Sequence, residues 1–125
     1  MGMNNKDSET SANSAWMSTF EQLKEICTLN NIELIMSTIP TVKGGYVEDT
    51  NEYSIRIHKF KNAIVRESGL RYVDFDKAVG ANETTGEWYG EMLYTDGVHP
   101  AADGARALFM QAVADFPELM SLEDC

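Results

Sequence analysis

The run Ile32-Glu33-Leu34-Ile35-Met36-Ser37-Thr38 is nearly continuous in apolar residues and stops at Pro40, which lacks a backbone donor and restricts the residue before it. A strand of this composition is covered on both faces, which predicts an internal position in a parallel sheet. Such a strand needs helices over its two faces and other strands at its two edges.

Helical patterns flank the run. Trp16, Phe20, Leu23 and Cys27 recur at i, i+4, i+7 and i+11, with Met17 and Ile26 beside them, and predict an amphipathic helix from Ser14, capped by Asn13 or Ser14. Asn30-Asn31 ends it, because Asn tolerates the left-handed conformation that follows many helix C-termini. Residues 1–13 carry no periodicity and read as loop. Past Pro40, residues 41–49 with Gly44-Gly45 form a loop at the carboxyl end of the strand.

A second helix follows over about residues 50–68, with Tyr53, Ile57, Phe60 and Ile64 on one stripe and Gly69 as its stop. Residues 70–75, rich in aromatic and β-branched side chains, are the second strand. Strand, helix and strand make a βαβ unit with an expected right-handed crossover. Residues 76–95 form a long loop containing Gly80, Gly86, Gly90 and Trp88-Tyr89, and loops of this length in compact domains are functional or mobile. The last helix spans about residues 101–116, buries Ala105, Leu108, Phe109, Ala112, Val113 and Phe116, and ends at Pro117; residues 118–125 are a frayed tail.

With 125 residues and 43% hydrophobic content the chain has room for one domain, residues 1–125, around one core. Two strands beside three apolar-faced helices fall short of the several neighbouring strands a parallel sheet needs. The sheet is expected to be completed in one of two ways: chains associate through the edge at residues 32–38 as a homo-oligomer, or this is the C-terminal part of a larger protein. Twenty acidic against ten basic residues give a net charge of -10, which repels nucleic-acid phosphates and anionic membrane surfaces and excludes both as partners. The longest apolar run is too short to span a bilayer, and no basic region followed by an apolar stretch opens the chain, so the compartment stays open. Cys27 and Cys125 lack metal-ligand spacing, and Cys27 reads as a small buried core residue.

Chemistry concentrates in Tyr94-Thr95-Asp96-Gly97-Val98-His99-Pro100. A histidine acting as general base needs one ring nitrogen free and the other held by an acceptor that fixes its tautomer. Asp96, three residues before His99 on a Gly-marked turn, provides such an acceptor, with Pro100 at the first position of the following helix. The same spacing also fits a plain helix start, in which Asp96 caps the helix and His99 is a partly exposed turn residue.

Asp96-Gly97-Val98-His99-Pro100 followed by Gly104 resembles the last conserved block of the SGNH hydrolases, the GDSL esterase/lipase family. The surrounding order agrees: a strand ending in Ser37-Thr38-Ile39-Pro40, a helix, Tyr72-Val73-Asp74-Phe75, then a loop into the Asp-x-x-His block. The resemblance implies a three-layer α/β, flavodoxin-like parallel sheet whose N-terminal strands are missing here. It assigns Asp96 as orienter and His99 as general base of a Ser-His-Asp triad. Gly2-Met3-Asn4-Asn5 resembles the family's Gly-x-Asn-Asp block, which makes Asn4 an oxyanion donor, although Asn5 stands where the family has Asp and the same residues also read as a polar N-terminal loop. The implied substrate is a small carboxylic ester, acetyl or short acyl, and the chemistry needs no cofactor.

The family's Gly-Asp-Ser nucleophile block does not occur in the chain, and no serine from Ser8 to Ser121 stands in such a turn. The expectation is a piece of a serine esterase that is inactive alone; the alternative is a non-catalytic α/β module that self-associates or binds a partner through its open sheet edge. His58 reads as a solvated or boundary residue. Asp96, His99 and Asp103 offer too few ligands for a hydrolytic metal. Trp88 and Tyr89 either line an acyl pocket or close the core under the long loop, the second being favoured.

Overall fold

The computed structural model describes residues 9–42, 52–93 and 99–118. Asn4, the Gly44-Gly45 loop, Asp96 and Cys125 lie outside the described residues. The elements run α1 (Glu9–Leu29), β1 (Met36–Ser37), α2 (Glu52–Glu67), β2 (Tyr72–Val73), α3 (Phe75–Ala78) and α4 (Ala102–Asp115).

α1 begins at Glu9, not Ser14, so residues 9–13 are helix rather than loop and neither Asn13 nor Ser14 is its cap. An apolar stripe marks where a helix packs, not where it starts. Glu9 at the positive end of the helix dipole and the strong helix former Ala12 favour an extra turn ahead of the apolar stripe. Within the packed part the stripe holds: Trp16, Phe20 and Cys27 are buried. The Trp16 and Phe20 rings stack with centroids 5.2 Å apart. With Val65 of α2 they form the core onto which Met17, Met36, Ile64, Leu70 and Tyr72 pack. The helix stops at Asn31, which adopts φ 55°. There the Ile32 N–H donates to the Cys27 carbonyl at 2.8 Å and the Asn31 N–H to that of Thr28 at 3.3 Å, the Schellman pattern that closes a helix.

β1 and β2 pair in parallel, Met36 beside Tyr72 and Ser37 beside Val73. The N–H groups of Met36 and Thr38 donate to the carbonyls of Arg71 and Val73 at 3.2 and 3.0 Å. The ladder is much shorter than residues 32–38 and 70–75 would allow, and β1 is half-buried rather than covered on both faces. Pairing ends because β2 runs into Asp74, whose carboxylate caps α3 by accepting from the Lys77 N–H at 3.2 Å and turns the chain out of the sheet. Past Thr38, β1 has no strand beside it among the described residues.

α2 buries only part of the face its apolar residues predict, Ile57 among them, and adds polar side chains to it. His58, Lys61, Asn62 and Val65 are buried, a stripe at i, i+3, i+4 and i+7, together with Ile55 and Ile57. Phe60 is more than a third exposed, Ile64 only half-buried, and the side chain of Tyr53 lies outside the described residues. His58, expected at the solvent boundary, is 2% exposed. Three polar side chains occupy this inward face, so a reading that weights only apolar residues rotates the helix away from it. Gly69 ends α2 with φ 79°, as its type predicts.

α4 lies along β2 and α3. Leu108, Ala112, Val113 and Phe116 are half-buried, whereas Ala105 and Phe109, expected in the core, are exposed. The helix is covered on one side only, so its apolar residues meet protein along a narrower stripe than their spacing allows. Its end is pinned to β2 by Arg71, whose guanidinium lies 4.1 Å from the Phe116 ring centroid and donates to the Glu118 carboxylate at 2.8 Å.

Candidate active site

In open parallel sheets the groups that meet ligands cluster at the carboxyl ends of the strands. Here that end carries a polar network. Thr38, directly after β1 and 1% exposed, donates through Oγ1 to Asp74 Oδ1 at 2.9 Å and accepts from the Asp76 N–H at 2.9 Å. Arg66 reaches in from α2: Nη2 donates to Asp74 Oδ1 at 3.2 Å and to Asp76 Oδ2 at 3.1 Å, and Nη1 to Glu83 Oε1 at 3.0 Å. The second oxygen of the Asp76 carboxylate accepts from the Thr41 N–H at 2.8 Å, and the Thr41 carbonyl accepts from the Trp88 indole N–H at 2.8 Å. Thr41 is therefore gripped from both sides, by the connection after β2 and by the long loop.

The charges in this network respond to burial and to each other. Burial alone would raise Asp74, but the hydrogen bonds from Arg66, the Lys77 N–H and Thr38 outweigh it and hold the carboxyl below its ordinary value. At Asp76 burial wins over the donors Thr41 and Arg66, and its pKa lies above the ordinary value. Burial would lower Arg66, but its bonds to Asp74 and Glu83 prevail and raise it, so it stays a cation. Arg66 is engaged by three carboxylates and Thr38 has both hydroxyl roles filled, while Thr38 and Asp76 in turn hold backbone N–H groups, and we assign this cluster to positioning the strand ends.

Residues 76–78, expected as the start of a long loop, belong to α3, and the loop that follows is built rather than loose where it is described. Asn82 Oδ1 accepts from the N–H groups of Thr84 and Thr85, and its own N–H donates to the Glu87 carbonyl at 2.8 Å. The Tyr89 N–H donates to the Val79 carbonyl at 2.9 Å. Trp88 is half-buried and closes over Thr41, in keeping with the favoured reading, while Tyr89 is 66% exposed.

His99 stands at the far end of this loop. Leu93 and Pro100 form an antiparallel bridge, and the Ala101 N–H donates to the Met92 carbonyl at 2.7 Å, so residues 92–93 and 100–101 form one neck beside His99. The His99 side chain is exposed. Gly104, in the first turn of α4, is buried because that turn presses onto the neck: a Cβ there would overlap the Met92 carbonyl oxygen.

Two expectations about this turn are corrected. α4 starts at Ala102 and its N-cap position is Ala101, which makes no side-chain cap bond, so Pro100 precedes the helix instead of opening it and the N-cap position is not Asp96. The bridge to Leu93 uses Pro100 before the helix can begin. Asp96 and Asn4, the other two residues assigned by resemblance, lie outside the described residues. Among the described residues no three His, Cys, Asp or Glu side chains gather as for a metal ion. Arg66, Thr38 and Asp76 were missed as site-building residues; the available signal was the Asp74-Phe75-Asp76 pair directly after a strand.

The chain was compared with known proteins. The search of curated proteins returns no match. The model of the GDSL-like lipase/acylhydrolase family matches residues 3–112, a span that contains Asn4, both strands, Asp96 and His99. No helix among the described residues is long and apolar enough to cross a membrane. With a match over most of its length, the chain belongs to the GDSL-like lipase/acylhydrolase family.

Proposed function

We propose that this chain is the C-terminal part of a single SGNH-type serine esterase domain, a three-layer flavodoxin-like fold whose remaining strands lie in sequence upstream. The observation that carries this reading is the family match across residues 3–112 with the Asp96-x-x-His99 spacing inside it. The exposed His99, held at the neck formed by Leu93 and Pro100, supports it. In the completed enzyme a serine from the upstream part attacks the carbonyl of a small acyl ester. His99 takes the serine proton and returns it to the leaving alcohol, Asp96 fixes the imidazole tautomer, and Asn4 donates to the oxyanion. The net charge of -10 argues against nucleic acid as a partner.

Removing one member of a Ser-His-Asp unit abolishes most of its rate, because the three act together. A serine-directed fluorophosphonate should therefore leave the 125-residue chain unlabelled. Stoichiometric labelling at any serine would overturn the claim that the nucleophile lies elsewhere. The reading also expects a strand followed by Gly-Asp-Ser upstream of Met1 in the longer coding sequence.

A second reading is favoured by one observation, the outer side of β1, which no strand covers among the described residues. In it the chain is a non-catalytic α/β module that self-associates through this edge. Absence of a Gly-Asp-Ser block upstream selects this second reading over the first.

A further inference from the structure

We propose that Trp88 is a positioning residue for His99: by holding the Thr41 carbonyl it fixes the turn of residues 88–92, and that turn sets where α4 and the histidine before it begin. The inference rests on the esterase reading, in which His99 is the general base.

A general base works only from a fixed place, since a displacement of about 1 Å costs roughly a hundredfold in rate. α4 does not supply that place by itself. Its N-cap position, Ala101, makes no side-chain bond, and Ala102, Asp103, Ala105 and Arg106 around its first turn are exposed. The helix is anchored at its other end, where the Asp115 carboxylate accepts from the Asp74 N–H at 3.0 Å and Phe116 packs against Arg71. Near His99, three contacts join the helix start to one short segment: the Ala101 N–H donates to the Met92 carbonyl, Pro100 pairs with Leu93, and Gly104 sits against that same carbonyl. The place of His99 therefore follows that of Met92.

Met92 is held through the two aromatic residues before it. Its N–H donates to the Tyr89 carbonyl at 3.1 Å, closing a tight turn. The Tyr89 N–H donates to the Val79 carbonyl at 2.9 Å, and its ring lies against Gly80, where a Cβ would overlap it, so Tyr89 ties the turn to the start of its own loop. Trp88 reaches the sheet instead: its indole N–H donates to the Thr41 carbonyl at 2.8 Å.

Thr41 is a firm point of attachment. It is fully buried, and its own N–H donates to Asp76 at 2.8 Å, a carboxylate that Arg66 holds at 3.1 Å and whose main-chain N–H donates to the Thr38 hydroxyl at the end of β1. A carbonyl beside so buried a residue needs a donor, and Trp88 supplies it. From Asp76 to Ala101 every junction is then a covalent link or a hydrogen bond of 2.7–3.1 Å: Asp76 to Thr41, Thr41 to Trp88, along the chain to Tyr89, Tyr89 to Met92, and Met92 to Ala101. A second side-chain tie, from Arg66 to Glu83, also reaches the loop, but it holds residues 82–87 rather than the turn next to Met92.

Trp88→Phe keeps an aromatic ring and removes the N–H that the Thr41 carbonyl accepts. Histidine NMR and amide exchange on the 125-residue chain read the result. The His99 imidazole signals should shift or broaden, and the Ala101 amide should exchange about tenfold faster, the equivalent of one hydrogen bond lost. His58, buried on α2, and the amides of Met36 and Thr38 are internal standards and should not change. Glu83→Ala cuts the tie from Arg66 and should leave the His99 signals where they are, whereas a general stiffening role for Trp88 would make the two variants alike. His99 signals that stay put in Trp88→Phe, or that move equally in Glu83→Ala, overturn the inference and leave the esterase reading standing. A longer coding sequence without Gly-Asp-Ser overturns that reading, and with it the catalytic use of the coupling. If Trp88→Phe does not fold, exchange in the unmodified chain decides: protection of the Trp88 indole N–H and of the Ala101 amide should agree within about threefold, because one opening releases both, and a wider gap overturns the coupling.

Discussion

Asp74 and Asp76, on either side of Phe75, share one nitrogen of Arg66: its Nη2 lies 3.2 Å from Asp74 Oδ1 and 3.1 Å from Asp76 Oδ2. The two carboxylates differ in how their other contacts balance burial. Asp74 gains enough donors to favour its charge, whereas Asp76, 3% exposed, does not.

Their pH signatures should therefore oppose each other. Asp74, held below the ordinary 3.8, contributes stability that is present above that value and lost as pH falls through its folded pKa. Asp76 lies above 3.8 in the folded chain, so its contribution is complete below 3.8 and is lost as pH rises through its folded pKa. In urea unfolding between acid and neutral pH, the deficit of Asp74→Asn should widen with rising pH. Asp76→Asn should gain on the unmodified chain over its own interval. Parallel curves for the two variants would contradict the assignment.

Arg66→Met should destabilise by about 2–3 kcal/mol, somewhat under the cost of breaking a fully buried pair, because the guanidinium is about a third exposed. Arg66→Lys should recover less than half of this, since a single ammonium cannot serve three separately placed carboxylates. Urea midpoints measure both.

Asn62→Ala should cost about 2–4 kcal/mol, from the N–H and C=O of Ile39 left without their partner. The Ile39 amide should exchange faster at the same time, a local effect that general destabilisation would spread over all of β1.

Two glycine substitutions should separate crowding from backbone strain. Gly104→Ala meets the Met92 carbonyl and should cost about 1–3 kcal/mol, with spectral changes at His99 as the neck shifts. Gly69→Ala has nothing near its new methyl but keeps φ 79°, and should cost about 1–2 kcal/mol with no change at His99. Thermal unfolding and histidine NMR shifts read the two effects.

The stripe Trp16, Phe20 and Cys27 and the stops at Asn31 and Gly69 were legible in the chain, because each is set by neighbours within a few residues; the parallel pairing of β1 with β2, 36 residues apart, was legible only from the order strand, helix, strand. What could not be read depends on partners far along the sequence. His58, Lys61 and Asn62 face inward on α2 although polar, and Asn62 does so to meet Ile39, 23 residues away. Thr38 and Asp74 meet across 36 residues. Strand length was overestimated for the same reason: an apolar run shows that a segment can pair, and the number of its partners is a property of the fold. At the candidate site the motif singles out His99 for test, while the network that stiffens the strand ends carries no motif.

Asn62 has one more consequence. Its carboxamide presents a donor and an acceptor to Ile39 as a neighbouring peptide group would, so a side chain imitates one residue of an absent strand. Sliding an added strand by one two-residue step, roughly 6.6 Å, toward this end would have to displace an amide that already makes both bonds. The edge of β1 thus works as a ruler with a fixed zero, and any segment that joins it inherits its alignment from α2.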